Sequence, residues 1–379
     1  MSEHNAPALA GVAPPHGGAA ARPPRRPRFT AIPSLPPAWL RRALLHPLLW
    51  TIGVVLLAAA APLAWLGALA HAVAARRPAR LARLLTFAWI YLAAEVLVMA
   101  CAALLWLASG CGWALRRPAF VQAHYRLLAC VVAALAGAGS RVFGLTLRQD
   151  SAVAHPAVDG ASPRARPLLV LSRHAGPGDS LLLIRHLLVH ARRQPRIVVK
   201  HTLQWDPMID LVFNRLPMVF VDPAAADQRD SVARIGRLAA TMSPRDALLI
   251  FPEGCKVTPL RRRRAIERLR RAGQADAARR AEQMRHLMPP RTRGLHAALS
   301  ARPDLEVLVV AHTGLDHLNS AGELWRALPE DKTLDLRWQW MPAGEVPRAP
   351  RPLTEWLATQ WAAMDAWIGS RRRRAAGPA

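Results

Sequence analysis

With 379 residues, the chain has room for one sizeable catalytic domain plus attachments. Its formal charge of +26 implies anionic partners, either nucleic acid or an anionic lipid surface, and composition alone does not choose between them. Its four cysteines have no metal-type pair spacing and do not read as a disulfide framework, which implies a reducing compartment. Almost all the positive charge is arginine. The three lysines are Lys200, Lys256 and Lys332, and this skew, with abundant Ala and Pro, looks like a GC-rich coding bias.

Residues 1–40 are rich in Pro, Ala, Gly and Arg and lack apolar periodicity, which predicts a disordered basic tail. From Ala43 to Ala75 no Asp, Glu, Lys or Arg occurs, and from Leu84 to Leu115 only Glu95 interrupts. Each run exceeds the roughly 20 residues that cross a bilayer core. The first starts too late and runs too long for a cleaved secretory signal. Residues 41–115 therefore read as a membrane helical hairpin, joined by the short link Arg76–Arg83. Arginines in the tail outnumber the four in the link, which favours an inner or plasma membrane protein with its catalytic domain cytoplasmic. Glu95 has two readings, a functional carboxylate or a protonated side chain hydrogen-bonded across the hairpin. The run Leu127–Gly139 is too short to cross a membrane and reads as a helix leading into the next domain.

From about Gly144, short apolar strands alternate with helical stretches. Strands are expected at Val142–Leu147, Leu168–Ser172, Arg196–Lys200, Met218–Val221, Ala247–Phe251 and Glu306–Ala311. Helices are expected at Ser180–Arg192, Met208–Arg215, 229–242 and, as a very basic helix or helix pair, Arg261–Arg285. This alternation predicts an α/β sheet flanked by helices, over residues 116–370, with a basic insertion at 261–293. Leu353, Trp356, Leu357, Trp361, Met364, Trp367 and Ile368 recur at helical spacing and read as core packing, ahead of a basic tail at 371–379.

Two constellations carry chemistry. His174 lies just past the strand Leu168–Ser172, where ligands usually meet an α/β sheet, and the Gly176-Pro177-Gly178 turn can bring Asp179 back to it. A carboxylate on one imidazole nitrogen fixes the tautomer, leaving the other free to take a proton from an attacking hydroxyl. An alternative reading makes Asp179 the cap of the following helix and His174 an ordinary loop histidine. The second constellation is Phe251-Pro252-Glu253-Gly254-Cys255-Lys256, where glycine lets backbone N–H groups approach an anion and Lys256 adds charge.

His174-x4-Asp179 followed by Phe-Pro-Glu-Gly resembles the glycerolipid acyltransferases that include 1-acyl-glycerol-3-phosphate acyltransferase. Cys255-Lys256 departs from that family's usual Thr-Arg. The segment Lys200-His201-Thr202-Leu203 looks like the family's Lys-x-x-Leu, whose lysine meets the acceptor phosphate. Asp227–Asp230 and Pro290-Arg291-Thr292-Arg293-Gly294-Leu295 resemble a branch acting on lysophosphatidate or larger lysophospholipids. Where the family often has Phe-Ile-x-Arg, this chain has Phe220-Val221-Asp222-Pro223, with no arginine.

The resemblance implies His174 as base and Asp179 as its orienting carboxylate, with Lys200, Glu253, Gly254 and Lys256 as substrate-binding residues. It also implies an acyl thioester donor (acyl-CoA or acyl carrier protein), a lysophospholipid acceptor, and no cofactor or metal. Acylation of another lysolipid, lysocardiolipin-like or an amino-lipid, is the alternative within enzymes. A non-catalytic, membrane-tethered nucleic-acid-binding protein is the alternative outside them. The twelve arginines of Arg261–Arg293 fit an arm facing anionic headgroups, a solvated helix or a nucleic-acid surface, although no aromatic interleaving accompanies them.

Overall fold

Leu168–Ser172 (β2) and Asp246–Ile250 (β5) are continuous, fully buried runs, the pattern of inner parallel strands covered on both faces. The computed structural model describes residues 35–74, 80–149, 159–162, 165–174, 177–222, 228–314, 322, 325–326 and 332–376. Among them, seven strands form one mixed sheet. The others are Thr146–Gln149 (β1), Gln194–Lys200 (β3), Val219–Val221 (β4), Glu306–Thr313 (β6) and Thr333–Met341 (β7). The order is β1-β7-β6-β2-β5-β3-β4, parallel except for the β6–β7 pair.

The chain enters through Ala38–Leu40 (α1), a π-helical turn at Arg41–Leu45, His46–Val55 (α2) and Ala61–Ala74 (α3). Arg80–Ala108 (α4) and Pro118–Phe143 (α5) follow. Within the domain come Pro177–Arg185 (α6), Pro207–Phe213 (α7), Arg229–Ala240 (α8), Pro259–Arg271 (α9), Ala275–Gln283 (α10), Arg293–Ala301 (α11) and Pro350–Ala376 (α12). One sheet face buries Ile235, Ile266, Ala281, Leu295, Leu357 and Trp361, from α8 to α12. The opposite face buries Tyr125, Leu128, Val132, Ile184 and Val212, from α5, α6 and α7.

Among the described residues, three helices are long and apolar enough to cross a membrane: Ala38–Ala59, Arg80–Ala108 and Pro118–Phe143. The first two leave large apolar side chains outward, among them Leu48, Ile52, Leu97 and Leu104, and this argues for membrane association. The third packs Tyr125, Leu128 and Val132 against the sheet, as expected of a helix leading into the next domain. The run 127–139 belongs to a 26-residue helix, whose exposed Arg126 and Arg141 hide its length from a search for charge-free sequence. That same helix corrects the strand expected at 142–147. It runs to Phe143, stops at Gly144 in the left-handed region (φ 65°), and the strand begins at Thr146.

Strand β7 was not anticipated. It is antiparallel and amphipathic, burying Leu334, Leu336 and Trp338 between exposed positions. At the C-terminus, helix α12 runs through the four arginines Arg371–Arg374 to Ala376, where a tail was expected from 371. Of the expected basic tail at 1–40, residues 1–34 lie outside the described residues, as do 75–79 of the inter-helix link.

The apolar helices are tied to the sheet domain by polar groups. Asp206 caps α7 by accepting the Ile209 N–H, and it also accepts the Tyr91 hydroxyl. Glu95, one turn on from Tyr91 along α4, accepts the Met208 N–H at 3.2 Å. Glu95 therefore bonds to α7, and the expectation of a partner across the hairpin is corrected. An exposed helix N-terminus offers a free N–H, which satisfies a buried carboxyl better than an apolar helix face.

Candidate active site

Parallel pairing places the ends of β2, β5 and β3 at one sheet edge, where an α/β fold opens. Leu171 pairs with Ile250, Ile197 with Leu249, and Ser172 with Val310. Extending these registers brings His174, Glu253, Lys200 and His312 to the same level, on adjacent strands spaced about 4.8 Å apart.

His174 follows Ser172 by two residues and is half-buried. Its imidazole packs on the Phe251 ring, with centroids 5.2 Å apart at 48°. The two constellations, 77 positions apart in sequence, are therefore in contact. Asp179 falls in the first turn of α6, which starts at Pro177. It is inside the helix and not at its N-cap, and its side chain lies outside the described residues.

Gly254 has φ +67°, a region that disfavours other residues, and its N–H closes a turn onto the Phe251 carbonyl at 3.0 Å. A Cβ on Gly254 would sit 3.6 Å from the Arg291 guanidinium carbon. The Arg291 backbone N–H in turn donates to the Pro252 carbonyl at 3.0 Å. The Pro290–Leu295 block is thereby fastened to the Phe-Pro-Glu-Gly loop, with an exposed guanidinium lying over Gly254. Lys256 is half-buried two residues on, and Lys200 is exposed at the end of β3. Pro223 and Asp227 lie outside the described residues.

Glu253 points inward and is 1% exposed. Burial pushes its carboxyl up to about 8, against the opposing pull of the Arg173 guanidinium, the Trp361 indole N–H and the backbone N–H groups of Met288 and His174. Neither carboxyl oxygen makes a hydrogen bond of regular geometry. Arg173 is buried too, and donates to the His312 carbonyl at 2.8 Å. His312 returns a bond from Nε2 to the Arg173 carbonyl at 3.2 Å, which places a proton on that nitrogen.

Sequence reasoning passed over Arg173, His312, Trp361 and the side chain of Arg291. One signal was present: an arginine just past one buried apolar strand run and a histidine near the end of another are costly to bury without purpose. For Trp361, which sits in a core stripe, no sequence signal existed.

The site thus holds a half-buried imidazole at a parallel-strand edge, a glycine turn with accessible backbone, and three cations on neighbouring loops. Residues 156–310 match the family model described as Acyltransferase. No curated protein and no solved structure matches the chain.

Proposed function

We propose that the protein transfers an acyl chain from an acyl thioester to a hydroxyl of a lysophospholipid, with 1-acyl-sn-glycerol-3-phosphate as the leading acceptor and phosphatidate as product. The observation that carries this reading is the contact between His174 and Phe251, which unites the His-x4-Asp block with the Phe-Pro-Glu-Gly block within the segment that matches the Acyltransferase model. His174 takes the proton of the acceptor hydroxyl as its oxygen attacks the thioester carbonyl, and Asp179 stabilises the imidazolium. The tetrahedral oxyanion collapses, the C–S bond breaks, and the leaving thiolate recovers the proton from His174.

Lys200, Lys256 and Arg291 bind the acceptor phosphate. Arg291 supplies the guanidinium that the Phe220–Pro223 segment lacks. The donor is acyl-CoA or acyl carrier protein. The enzyme works at the inner or plasma membrane with its sheet domain in the cytoplasm, and its arginine-rich helices face anionic lipid.

Membranes containing the protein, given labelled acyl-CoA and a panel of lysolipid acceptors, test the reading. Labelled phosphatidate is expected with the lysophosphatidate acceptor, and His174→Ala is expected to abolish it while leaving membrane association intact. Retention of half the wild-type rate by His174→Ala would show that His174 is not the base.

A further inference from the structure

One face of α4 is hydrogen-bonded to α5 and to the α7 region along most of its length. Arg83 Nη1 donates to the Val142 carbonyl of α5 at 2.8 Å. Tyr91 donates to Asp206, and Glu95 accepts the Met208 N–H at 3.2 Å. Towards the other end, the Ala102 carbonyl accepts from Arg215 at 2.6 Å, and Arg215 also meets His124 of α5 at 3.3 Å. Between them, Val98 joins the core of the sheet face that α5 covers. Helix α5 is itself bonded to the start of β3. The Tyr125 hydroxyl donates to the Pro195 carbonyl at 3.2 Å, and Gln194 donates to Gln122 at 2.8 Å.

Residues 83 to 102 of a helix cover about 28 Å, close to the roughly 30 Å hydrocarbon core of a bilayer. If α4 crossed a membrane, α7 and its neighbours would stand beside it within the bilayer. Asp206, Asp210, Asn214 and Arg215, with the sheet behind them, would then lie in hydrocarbon, where charge and irregular backbone are costly. A helix lying along the domain avoids that cost. Helices α2 and α3 lie the same way, antiparallel to α4. Trp50 Nε1 donates to the Val96 carbonyl at 3.1 Å, a Cβ on Gly53 would sit 2.8 Å from Val96, and Trp65 donates to Thr86. This layer leaves Leu48, Ile52, Val55, Leu63, Leu97 and Leu104 exposed. Beside it, Leu203 and Trp205 are exposed in the loop whose Gln204 accepts from Arg41 at 3.2 Å. We propose that the protein is monotopic: α1 to α4 lie as a raft in one leaflet, on the side of the sheet domain, and none of the three long apolar helices crosses the bilayer. An in-plane helix sinks about 5–10 Å into the boundary of headgroups and acyl chains, a depth that the layer of α2 and α3 over α4 supplies.

The test is labelling of the full-length protein in sealed membrane vesicles of both orientations with a membrane-impermeant maleimide. The four free cysteines are removed by Cys101→Ser, Cys111→Ser, Cys130→Ser and Cys255→Ser. Single cysteines then mark the segments between helices: Ser2→Cys before α1, Arg77→Cys between α3 and α4, and Arg116→Cys between α4 and α5. Arg264→Cys, on the exposed side of α9, reports the side of the sheet domain. All four are expected to be labelled in the same vesicle orientation and in that one alone. Labelling of any of the first three from the side opposite to Arg264→Cys overturns the proposal, because a helix between them then crosses. If the cysteine-free background is not recovered folded, trypsin acting on the native chain in the same vesicles decides. Cleavage after Arg28, Arg76 and Arg116 from one side alone supports the raft, and cleavage of any two from opposite sides overturns it. Labelling does not depend on acyl transfer, so it tests the raft whether or not the proposed activity is found.

Discussion

The Arg41 guanidinium and the Asp210 carboxylate meet at 2.8 Å, joining the first apolar helix to α7 of the sheet domain, and both side chains are buried. Arg42 at 3.3 Å and His46 at 3.5 Å reach the same carboxylate, and Asn214 donates to it at 2.9 Å. The loop preceding α7 begins at Lys200, so this cluster also braces a proposed acceptor-binding residue against the membrane-associated helices. Removing the carboxylate leaves buried arginine without a counterion. Asp210→Ala is expected to destabilise the protein by about 3–5 kcal/mol, read as a lower melting temperature in detergent. Proteolysis should speed up before Ala38 and around Trp205. An unchanged melt would mean that the cluster is not structural.

Replacing Lys200, Lys256 or Arg291 by Ala removes one charge-assisted contact each, with a loss of about 1.5–3 kcal/mol if the site is partly desolvated. This corresponds to about a 10- to 100-fold fall in kcat/KM for a phosphate-bearing acceptor, mainly through KM. Lys332, whose carbonyl pairs with the Thr146 N–H away from the site, should tolerate Ala. Equal losses with phosphorylated and unphosphorylated acceptors would show that these cations are structural.

Two buried groups give stability opposite dependences on pH. Glu253 is held protonated up to about 8 by burial, well above the 4.5 of the unfolded chain. The native state thus holds a proton that the unfolded state has released, and stability present at low pH is lost as pH rises through about 8. His186 is pushed down to about 4 by burial, with His190 and Arg185 adding repulsion, and its ring stacks on Trp338. Stability present above 6.5 is therefore lost as pH falls towards 4. In melts across this range, Glu253→Gln should flatten the alkaline decline and His186→Phe the acid decline. If Glu253→Gln leaves the alkaline slope unchanged, the carboxyl is already ionised in the native state.

The protein is expected to stay in the membrane fraction through a high-salt wash. Deletion of residues 43–115 should leave only weak, salt-sensitive binding to anionic vesicles through Arg261–Arg293. Flotation on neutral and anionic vesicles at low and high salt measures both. Recovery of the intact chain in the wash supernatant would contradict membrane insertion, and tight RNA binding by the truncated chain would favour the nucleic-acid alternative.

The sequence by itself determined the inner strands, because a strand buried on both faces must be apolar along its whole length. Leu168–Ser172 shows this and is observed with those bounds. It also determined the stripe Leu353–Ile368 as core, since helical spacing leaves such residues one shared face. The glycine turn at Gly254 and the strand-end position of His174 were legible because local backbone sterics dictate them. Tertiary structure alone decided the rest. Strand β7 alternates and gains its place only by antiparallel pairing with β6, a long-range choice that its own residues do not encode. The partner of Glu95 depended on where α7 presents a free N–H. The bond from Arg173 to the His312 carbonyl arose because strands distant in sequence lie side by side. A buried charge carries no sign in the sequence of which distant group will answer it.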